Sequence, residues 1–190
     1  TLTQRHPNTK KGNTALHRLF IADLHLSPEH PCLTEGFLHL VNAHQSQINQ
    51  LYILGDWFES WVGDDDDAEW LNPLCAALRD FTQHGGEVLV MHGNRDFLLG
   101  QQFLARFGGQ LLPEHLLLDT GSQTIRLEHG DALCVDDLKY QQFRQTSRSE
   151  AWKNGILSLP VAQRRGIAQC LRMQSQANYA NTASNIMDVN

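Results

Sequence analysis

Residues 18–25, RLFIADLH, join a short apolar segment to two side chains of the kinds that bind metal ions. Leu19 to Ala22 are apolar or small, which predicts a buried β-strand. Asp23 and His25 come next, and on an extended backbone two residues separated by one point the same way. A carboxylate beside an imidazole suits Mn²⁺, Zn²⁺ or Fe²⁺ better than Ca²⁺. Taken alone, the pair is also explained by a capping Asp and a solvated His, so the metal hypothesis depends on the rest of the chain.

Three further apolar segments are each followed by a potential ligand next to a glycine. The segments are Leu51–Leu54, Glu87–Met91 and Thr124–Leu127, and the residues that follow them are Asp56, Asn94 and His129. Apolar residues at helical spacing over 34–47 and 71–81 separate the first three strands, which predicts β-α units of a parallel sheet. Such sheets place ligands at the carboxyl edge of their strands, so we expect the potential ligands to converge there.

The remaining segments predict one more short helix, a hairpin and a helical region. Residues 97–107 are expected to form the helix, and residues 116–127 the hairpin. From Asp136 onward, apolar and basic residues alternate in a way that predicts two or three amphipathic helices. These helices form either a surface cap or a lid over an amphiphilic anionic substrate, and the sequence favours neither.

Size and composition indicate a globular protein. A chain of 190 residues with 41% hydrophobic and 19% charged residues favours one domain with a buried core. No apolar run approaches the ~20 residues that span a bilayer. The first 17 residues lack the apolar region of a secretory signal, so we expect a flexible tail. The four cysteines are far apart, which argues against a zinc knuckle and favours a reducing, cytosolic compartment.

Charge is distributed unevenly along the chain. Residues 1–137 carry eight Lys and Arg against nineteen Asp and Glu, whereas residues 138–190 carry seven against two. The acidic part suits cations, and the basic, partly apolar part suits an anionic ligand or a membrane surface. For the acidic run at residues 64–67 we favour a solvated loop over direct metal ligation.

Four strands that each end in potential metal ligands, namely Asp23 with His25, Asp56, Asn94 and His129, fit a two-metal centre. Two divalent ions ~3.5–4 Å apart need a bridging carboxylate, terminal imidazoles and a neutral oxygen donor. Such a centre clamps a phosphate, lowers the pKa of a bound water and stabilises the charge that develops in an in-line displacement. The residue types therefore predict metal-assisted hydrolysis of a phosphate ester or anhydride.

The order of the motifs, D-x-H, GD, GN and H, resembles that of the calcineurin-like metallophosphoesterases. Within that superfamily, longer stretches resemble the UDP-2,3-diacylglucosamine pyrophosphatases of lipid A synthesis. These stretches are FIADLHL (20–26), YILGDWFESWVGDDD (52–66), HGNRDFLLG (92–100), LLPE (111–114), HGDALCVDD (129–137), YQQFR (140–144) and IMDVN (186–190). Arg95 is the most specific match, because generic members of the superfamily usually carry a histidine there. The resemblance implies an α/β fold, namely a β-sandwich flanked by helices with a helical cap.

Carried over residue by residue, the resemblance implies a catalytic centre with two Mn²⁺ ions. Asp23 and His25 would bind the first ion, and Asp56 would bridge both ions. Asn94 and His129 would bind the second ion, and Asn94 would also face the substrate.

Further positions would contact the substrate. Arg95 would bind its phosphate, a role that suits the fork of guanidinium donors. Asp137 and Ser175 match positions that hold the glucosamine and nearby groups. Tyr179 and Thr182 stand where the resemblance leads us to expect an amide and a lysine, so their contacts are left unassigned.

The resemblance also divides the chain into segments. Residues 1–17 would be the tail, residues 18–137 the metallophosphoesterase core, residues 138–182 the cap, and residues 183–190 the start of a return to the core. A final G-H-x-H motif of the family would follow Asn190. We therefore expect the C-terminal part of the fold to be missing from the sequence given, with an incomplete metal centre, weak activity at most and an uncovered sheet edge.

The implied activity is hydrolysis of the pyrophosphate bond of UDP-2,3-diacylglucosamine by attack of activated water on the α-phosphorus, which gives UMP and 2,3-diacylglucosamine 1-phosphate. The implied partners are this substrate and the inner face of the cytoplasmic (inner) membrane, where the protein would bind peripherally; no nucleic acid is expected. Two alternatives stay open. One is a soluble phosphodiesterase or nucleotidase of the same superfamily. The other is a catalytically impaired fragment or binding module without the last ligands.

Overall fold

A computed structural model describes residues 16–179 of the chain, with side chains as far as residue 177. The predicted return to the core at residues 183–190, the position of Thr182 and almost all of the predicted tail lie outside the described residues. The side chain of Tyr179 is also outside them. The division of the chain into core and cap stays a prediction.

The larger sheet has four parallel strands in the order β1-β2-β3-β4 within the described residues. Its strands and the helices between them are β1 (Arg18–Ile21), α1 (Pro31–His44), β2 (Gln50–Leu54), α2 (Asn72–Gln83), β3 (Glu87–Met91), α3 (Gln101–Leu104) and β4 (Gln110–Leu111). The predicted parallel α/β arrangement is therefore confirmed, and the carboxyl ends of β1, β2 and β3 share one edge. β4 was not predicted, because two residues are too few to give a periodic pattern.

A separate two-stranded antiparallel sheet is formed by β5 (His115–Asp119) and β6 (Thr124–Glu128), as the turn residues between them predicted. Successive residues of β2 and β3 point to opposite faces of the parallel sheet. Leu51, Ile53, Val88 and Val90 pack with helices α1 and α2. Tyr52, Leu89 and Met91 pack on the other face with Leu127 of the hairpin. The parallel sheet is thus covered by helices on one face and by the hairpin on the other.

Two predicted helices have different bounds in the structure. The helix expected over 34–47 is α1, which begins earlier because Pro31 is well suited to the first helical turn. Of the helix expected over 97–107, only α3 is an α-helix, because Gly100 is extended and the preceding residues form a turn.

The acidic run after β2 begins with an aspartate that holds α3 in place. The Asp64 carboxylate accepts hydrogen bonds from the backbone N–H groups of Gly100 and Phe103, both at 2.8 Å, and from the indole of Trp61 at 3.0 Å. The two backbone donors are among those that the first turn of a helix leaves unpaired. Asp64 therefore caps α3 from a distant part of the chain, and the prediction of a solvated loop is wrong at this residue.

Three helices follow the hairpin, α4 (Leu138–Ser147), α5 (Glu150–Leu157) and α6 (Val161–Tyr179). Asp137 caps α4 and Ser149 caps α5, each by accepting from a backbone N–H three residues on. None of the helices in residues 16–179 is long and apolar enough to cross a membrane.

We expect Asp64→Ala to lower the free energy of unfolding by about 2 kcal/mol, because it leaves two part-buried backbone donors without an acceptor. The measurement is urea denaturation followed by tryptophan fluorescence. Asp67→Ala is the matched control, since the exposed Asp67 carboxylate makes no hydrogen bond or ion pair with the described residues. Equal losses in the two variants would contradict the capping role.

Candidate metal site

Asp23, His25 and Asp56 lie together at the carboxyl ends of β1 and β2. Each offers a ligand atom, and these atoms lie within 4.8 Å of one another. Two backbone hydrogen bonds join the turns, from Asp23 N–H to Gly55 O at 3.2 Å and from His25 N–H to Asp56 O at 3.0 Å. These residues lie together, as the sequence predicted. Because β1 ends at Ile21, Asp23 and His25 are aligned by the pairing of the two turns and not by an extended strand.

The backbone is strained at all three of these residues. Their φ angles are +54° at Asp23, +50° at His25 and +49° at Asp56, in the left-handed region that side chains with a Cβ seldom adopt. Such conformations concentrate at functional sites, where the surrounding structure holds them. Paired turns that force this conformation on three potential ligands indicate that the arrangement is specified by the fold.

Two glycines allow the ligand-bearing turns to approach each other. Gly55 has φ of +95°, and a Cβ there would lie 2.7 Å from both Gly93 Cα and the His129 ring. A Cβ at Gly93 would overlap the Asp56 carboxylate. The turns that carry Asp56 and Asn94 therefore touch backbone to backbone, which only glycine permits.

The Asp56 carboxylate is buried between two groups of potential ligands. Its Oδ2 lies 4.0 Å from His25 Nδ1, on the side of Asp23, whose Oδ1 is 3.9 Å from His25 Nε2. Its Oδ1 lies 3.6 Å from His129 Nε2, which in turn is 3.0 Å from Asn94 Oδ1. All five predicted ligands thus meet around one carboxylate, with one oxygen facing each group.

The orientation of the His129 ring is set by its neighbour in β2. Nδ1 lies 2.9 Å from the carbonyl oxygen of Leu54, so it must be the protonated nitrogen that donates. In the neutral ring Nε2 then carries a lone pair, and it faces oxygens of Asn94 and Asp56. Nε2 is thereby directed at the oxygens of Asn94 and Asp56, and a backbone carbonyl behind the ring is typical of metal-binding histidines.

The residues fit a divalent metal ion. Two ligands about 2.1 Å from one ion lie about 3 to 4 Å apart. His129 Nε2 has this spacing to the oxygens of Asn94 and Asp56, and the ligand atoms of Asp23, His25 and Asp56 lie within 4.8 Å of one another. His25 Nδ1 is buried and makes no hydrogen bond within the described residues. Burial lowers the pKa of His25, and the nearby Arg95 guanidinium lowers it further, so the ring is held in the neutral form that binds metals.

Burial also raises the pKa of Asp56 to about 6, against the attraction of His129. The carboxylate accepts one backbone hydrogen bond, from Arg95 N–H at 2.9 Å. Behind it the buried Asp96 accepts from the backbone N–H groups of Trp57 and Gly93, both at 2.7 Å. Asp96 therefore ties the turn of Asp56 to the turn of Asn94. It stands in the quoted HGNRD motif, yet nothing in the sequence indicated this role.

Arg95 lies beside the site, and its guanidinium forms ion pairs with the carboxylates of Glu59 and Asp56. Nη1 is 2.5 Å from Glu59 Oε2 and Nε is 3.3 Å from Asp56 Oδ2. Glu59 also pairs with Arg172 of α6 at 2.9 Å and lies 3.5 Å from His25 Nδ1. Glu59 and Arg172 were missed, because the distance between them in the sequence hides their contact.

The other predicted substrate residues lie on the C-terminal helices. The Asp137 carboxylate accepts from Tyr140 N–H at 2.9 Å as the α4 cap, and Ser175 is exposed on α6. Their substrate roles stay predictions.

Helices α4 and α5 pack against the turn that bears Asn94. Arg148 donates to Gly93 O at 2.8 Å and lies over the Phe97 ring, 4.9 Å from its centroid. Asp131, two residues after His129, accepts from Tyr140 Oη and from Arg144 Nε at 2.8 Å. An aromatic and basic wall therefore borders one side of the site.

Several known proteins that are similar to this chain carry the same name. The UDP-2,3-diacylglucosamine hydrolase of Chromobacterium violaceum is 48% identical over 176 residues, which are 92% of this chain and 73% of the relative. The hydrolase of the same name from Yersinia enterocolitica is 46% identical over 172 residues, 90% of this chain and 72% of the relative. That of Yersinia pseudotuberculosis is 44% identical over the same shares. No family model matches the chain.

We expect Asp56→Asn to raise the unfolding temperature of the metal-free protein at pH 8 while abolishing Mn²⁺ binding. Above pH 6 the carboxylate is charged in the folded and unfolded states, and the pKa rise from 3.8 to about 6 means that folding disfavours this charge by about 2–3 kcal/mol. The neutral amide removes that penalty. The carboxyl is protonated in both states only well below pH 3.8, so the gain should decrease steeply below pH 6 and be small at pH 4.

Differential scanning calorimetry with EDTA at pH 8 and pH 4 measures the stability, and titration calorimetry with Mn²⁺ measures the binding. Asp23→Asn is the control, because its side chain is 61% exposed and its charge should change metal-free stability little. A destabilised Asp56→Asn protein at pH 8 would contradict the electrostatic account.

Proposed function

Because the chain belongs to the UDP-2,3-diacylglucosamine hydrolase family, we propose that it hydrolyses the pyrophosphate bond of UDP-2,3-diacylglucosamine. A water oxygen would bond to the α-phosphorus, and the bond from that phosphorus to the bridging oxygen would break. UMP would keep the α-phosphorus, and 2,3-diacylglucosamine 1-phosphate would be the leaving group.

The observation that carries this proposal is the two-sided position of the Asp56 carboxylate. Its two oxygens face separate groups of donors, one with Asp23 and His25 and one with Asn94 and His129. A carboxylate that bridges two cations is the central part of two-metal phosphoesterases. We assign Asp23 and His25 to the first ion, Asn94 and His129 to the second, and Asp56 to both.

We further propose Mn²⁺ at both positions, since carboxylate, imidazole and amide oxygen donors together suit it. When bound, the ions would activate a water and offset the negative charge that develops on the phosphate. The chain's own contribution is orientation. Leu54 O fixes the His129 ring, and Asp96 fixes the two turns that carry Asp56 and Asn94. We also propose that the parallel sheet and the hairpin correspond to the β-sandwich of the calcineurin-like superfamily.

Arg95 is proposed to bind the substrate phosphate. Its guanidinium lies next to Asp56 and is held in the free protein by Glu59. A phosphate presents oxygens that match the guanidinium fork, so it would replace a carboxylate on Arg95 with little rearrangement. Asn94, whose Oδ1 lies on the same side of the site as His129, is proposed to share this contact.

The helices α4 to α6 are proposed to bind the acyl chains and the glucosamine, with Asp137 and Ser175 on the sugar. The wall formed by Phe97, Trp152 and Phe143 borders the site beside Asn94, which supports an apolar binding region there. Leu138 and Met173 expose apolar side chains on the same helices, 75% and 63% respectively. They support the proposal that this region rests on the inner face of the cytoplasmic membrane.

The direct test measures release of UMP from UDP-2,3-diacylglucosamine with Mn²⁺ and with EDTA. We expect turnover only with the metal, and a loss of at least about 10³-fold in Asp56→Ala, because one substitution removes a ligand from both groups. A small chromogenic phosphodiester assayed in parallel tests the substrate. Preference for the small diester would favour a soluble phosphodiesterase, and full turnover by Asp56→Ala would disprove the two-metal centre.

Arg95→Lys should lower kcat/KM for UDP-2,3-diacylglucosamine by about 10²-fold, because lysine keeps the charge but not the paired donors. Mn²⁺ affinity, measured by titration calorimetry, should stay close to that of the wild type, since the backbone N–H that binds Asp56 remains. Arg79→Lys is the control, because the Arg79 side chain donates only to the Arg106 carbonyl among the described residues. Unchanged kcat/KM in Arg95→Lys would refute the substrate role, and loss of Mn²⁺ binding would instead assign Arg95 to the metal site.

A further inference from the structure

The second aspartate of the acidic run, Asp65, receives a buried arginine from helix α6. Arg164 is 3% exposed, and its Nη1 donates to Val62 O at 2.6 Å and to Asp65 Oδ1 at 2.7 Å. Its Nη2 donates to the other oxygen of Asp65. A guanidinium that is buried in this way needs both the carboxylate and the carbonyl, because removing either leaves donors unsatisfied.

Gly63 shapes the place that Arg164 occupies. Its φ is +133°, which residues with a Cβ rarely adopt, and a Cβ there would overlap Arg164 Nη1. The same Cβ would lie 2.9 Å from Leu157 of α5. The loop after β2 is therefore built to receive this one side chain.

Helix α6 carries a second contact to the core, at the edge of the metal site. Arg172 lies eight residues after Arg164, about 12 Å along the helix axis. It pairs with Glu59 at 2.9 Å, and Glu59 in turn holds Arg95. The position of α6, and thus of Arg172 beside Glu59, depends on where Arg164 is held.

The neighbouring pair has a different character. Arg165 is 57% exposed and binds Asp66 at 2.6 Å on the surface. Exposed ion pairs of this kind contribute little to stability, since water and salt screen them. The partner of Arg164, Asp65, has a side chain that is 56% exposed, whereas that of Asp66 is 17% exposed. The two adjacent arginines thus make the same type of contact, with the arginine buried in one pair and exposed in the other, which provides a matched control.

We propose that Arg164 is a positioning residue, which docks α6 on the loop after β2 so that the helix takes part in binding the long lipid substrate. The identity of the substrate in this inference rests on the proposed function. The docking of α6 rests on the buried contacts of Arg164. Arg164 acts through α6 and does not touch the reacting atoms. Docking of α6 is required for affinity toward UDP-2,3-diacylglucosamine and not for cleavage of a small phosphodiester.

The test compares Arg164→Met, Arg164→Lys and Arg165→Met in the full chain. Hydrogen exchange measured by mass spectrometry reports on α6 without any activity. In Arg164→Met we expect amides of residues 161–177 to exchange at least about tenfold faster, with β2 and β3 unchanged. KM for UDP-2,3-diacylglucosamine should rise at least about fivefold, while kcat for a small chromogenic diester should stay within about twofold.

The lysine variant should recover part of both effects, because it keeps one donor in place of the guanidinium fork. Gly63→Ala should reproduce Arg164→Met, because it denies the guanidinium its place while leaving the arginine present. Arg165→Met should behave as the wild type.

Three results would overturn the proposal: unchanged exchange in α6, an equal effect of Arg165→Met, or a parallel loss of small-diester turnover. A wild-type protein that does not cleave the lipid nucleotide would instead refute the proposed function. The exchange comparison would still decide whether Arg164 docks α6.

Discussion

The close approach of the turns at Gly55 and Gly93 is the constraint on which the site depends. It brings the carboxyl ends of β2 and β3 so near each other that the Asp56 carboxylate lies against the backbone of the next turn. Asp96 closes the gap from behind by accepting one N–H from each turn. The left-handed backbone at Asp56 follows from this packing, since the chain must reverse sharply to fit beneath the neighbouring turn.

This arrangement makes the charge of the buried Asp56 carboxylate unfavourable in the metal-free protein. Burial of Asp56 raises its pKa, and the Arg95 guanidinium, whose Nε lies 3.3 Å from Oδ2, offsets part of its charge. Electron-pair donors of His129 and Asn94 face the same space. A fold that holds a buried carboxylate and its neighbouring ligand types in strained backbone sacrifices stability for a preorganised arrangement that fits a cation.

The strands and most of the ligand positions could be predicted from the sequence, because each depends on residues that are close together in the chain. Short apolar segments predicted the strands, and the polar residues that follow them predicted the ligand positions. The structure brings Asp23, Asp56 and Asn94 together as expected. The remaining features depend on contacts between distant residues. Asp64 caps α3 from 36 residues away, and Arg164 reaches Asp65 across 99 residues. No periodicity or short motif encodes such pairs, so the acidic run was wrongly predicted to be solvated at Asp64.

In the fold, the arginines of the C-terminal helices form ion pairs with acids and do not make up a free basic surface within the described residues. All five arginines of residues 138–177 pair with acids of the preceding part of the chain, so opposite charges join the helices to the loops around the sheets. The pairs are Arg144 and Arg148 with Glu114 and Asp131, Arg164 with Asp65, Arg165 with Asp66, and Arg172 with Glu59. Composition therefore overstates the basic surface that an anionic membrane would meet. A membrane contact of these helices would depend more on exposed apolar side chains such as Leu138 and Met173 than on net charge.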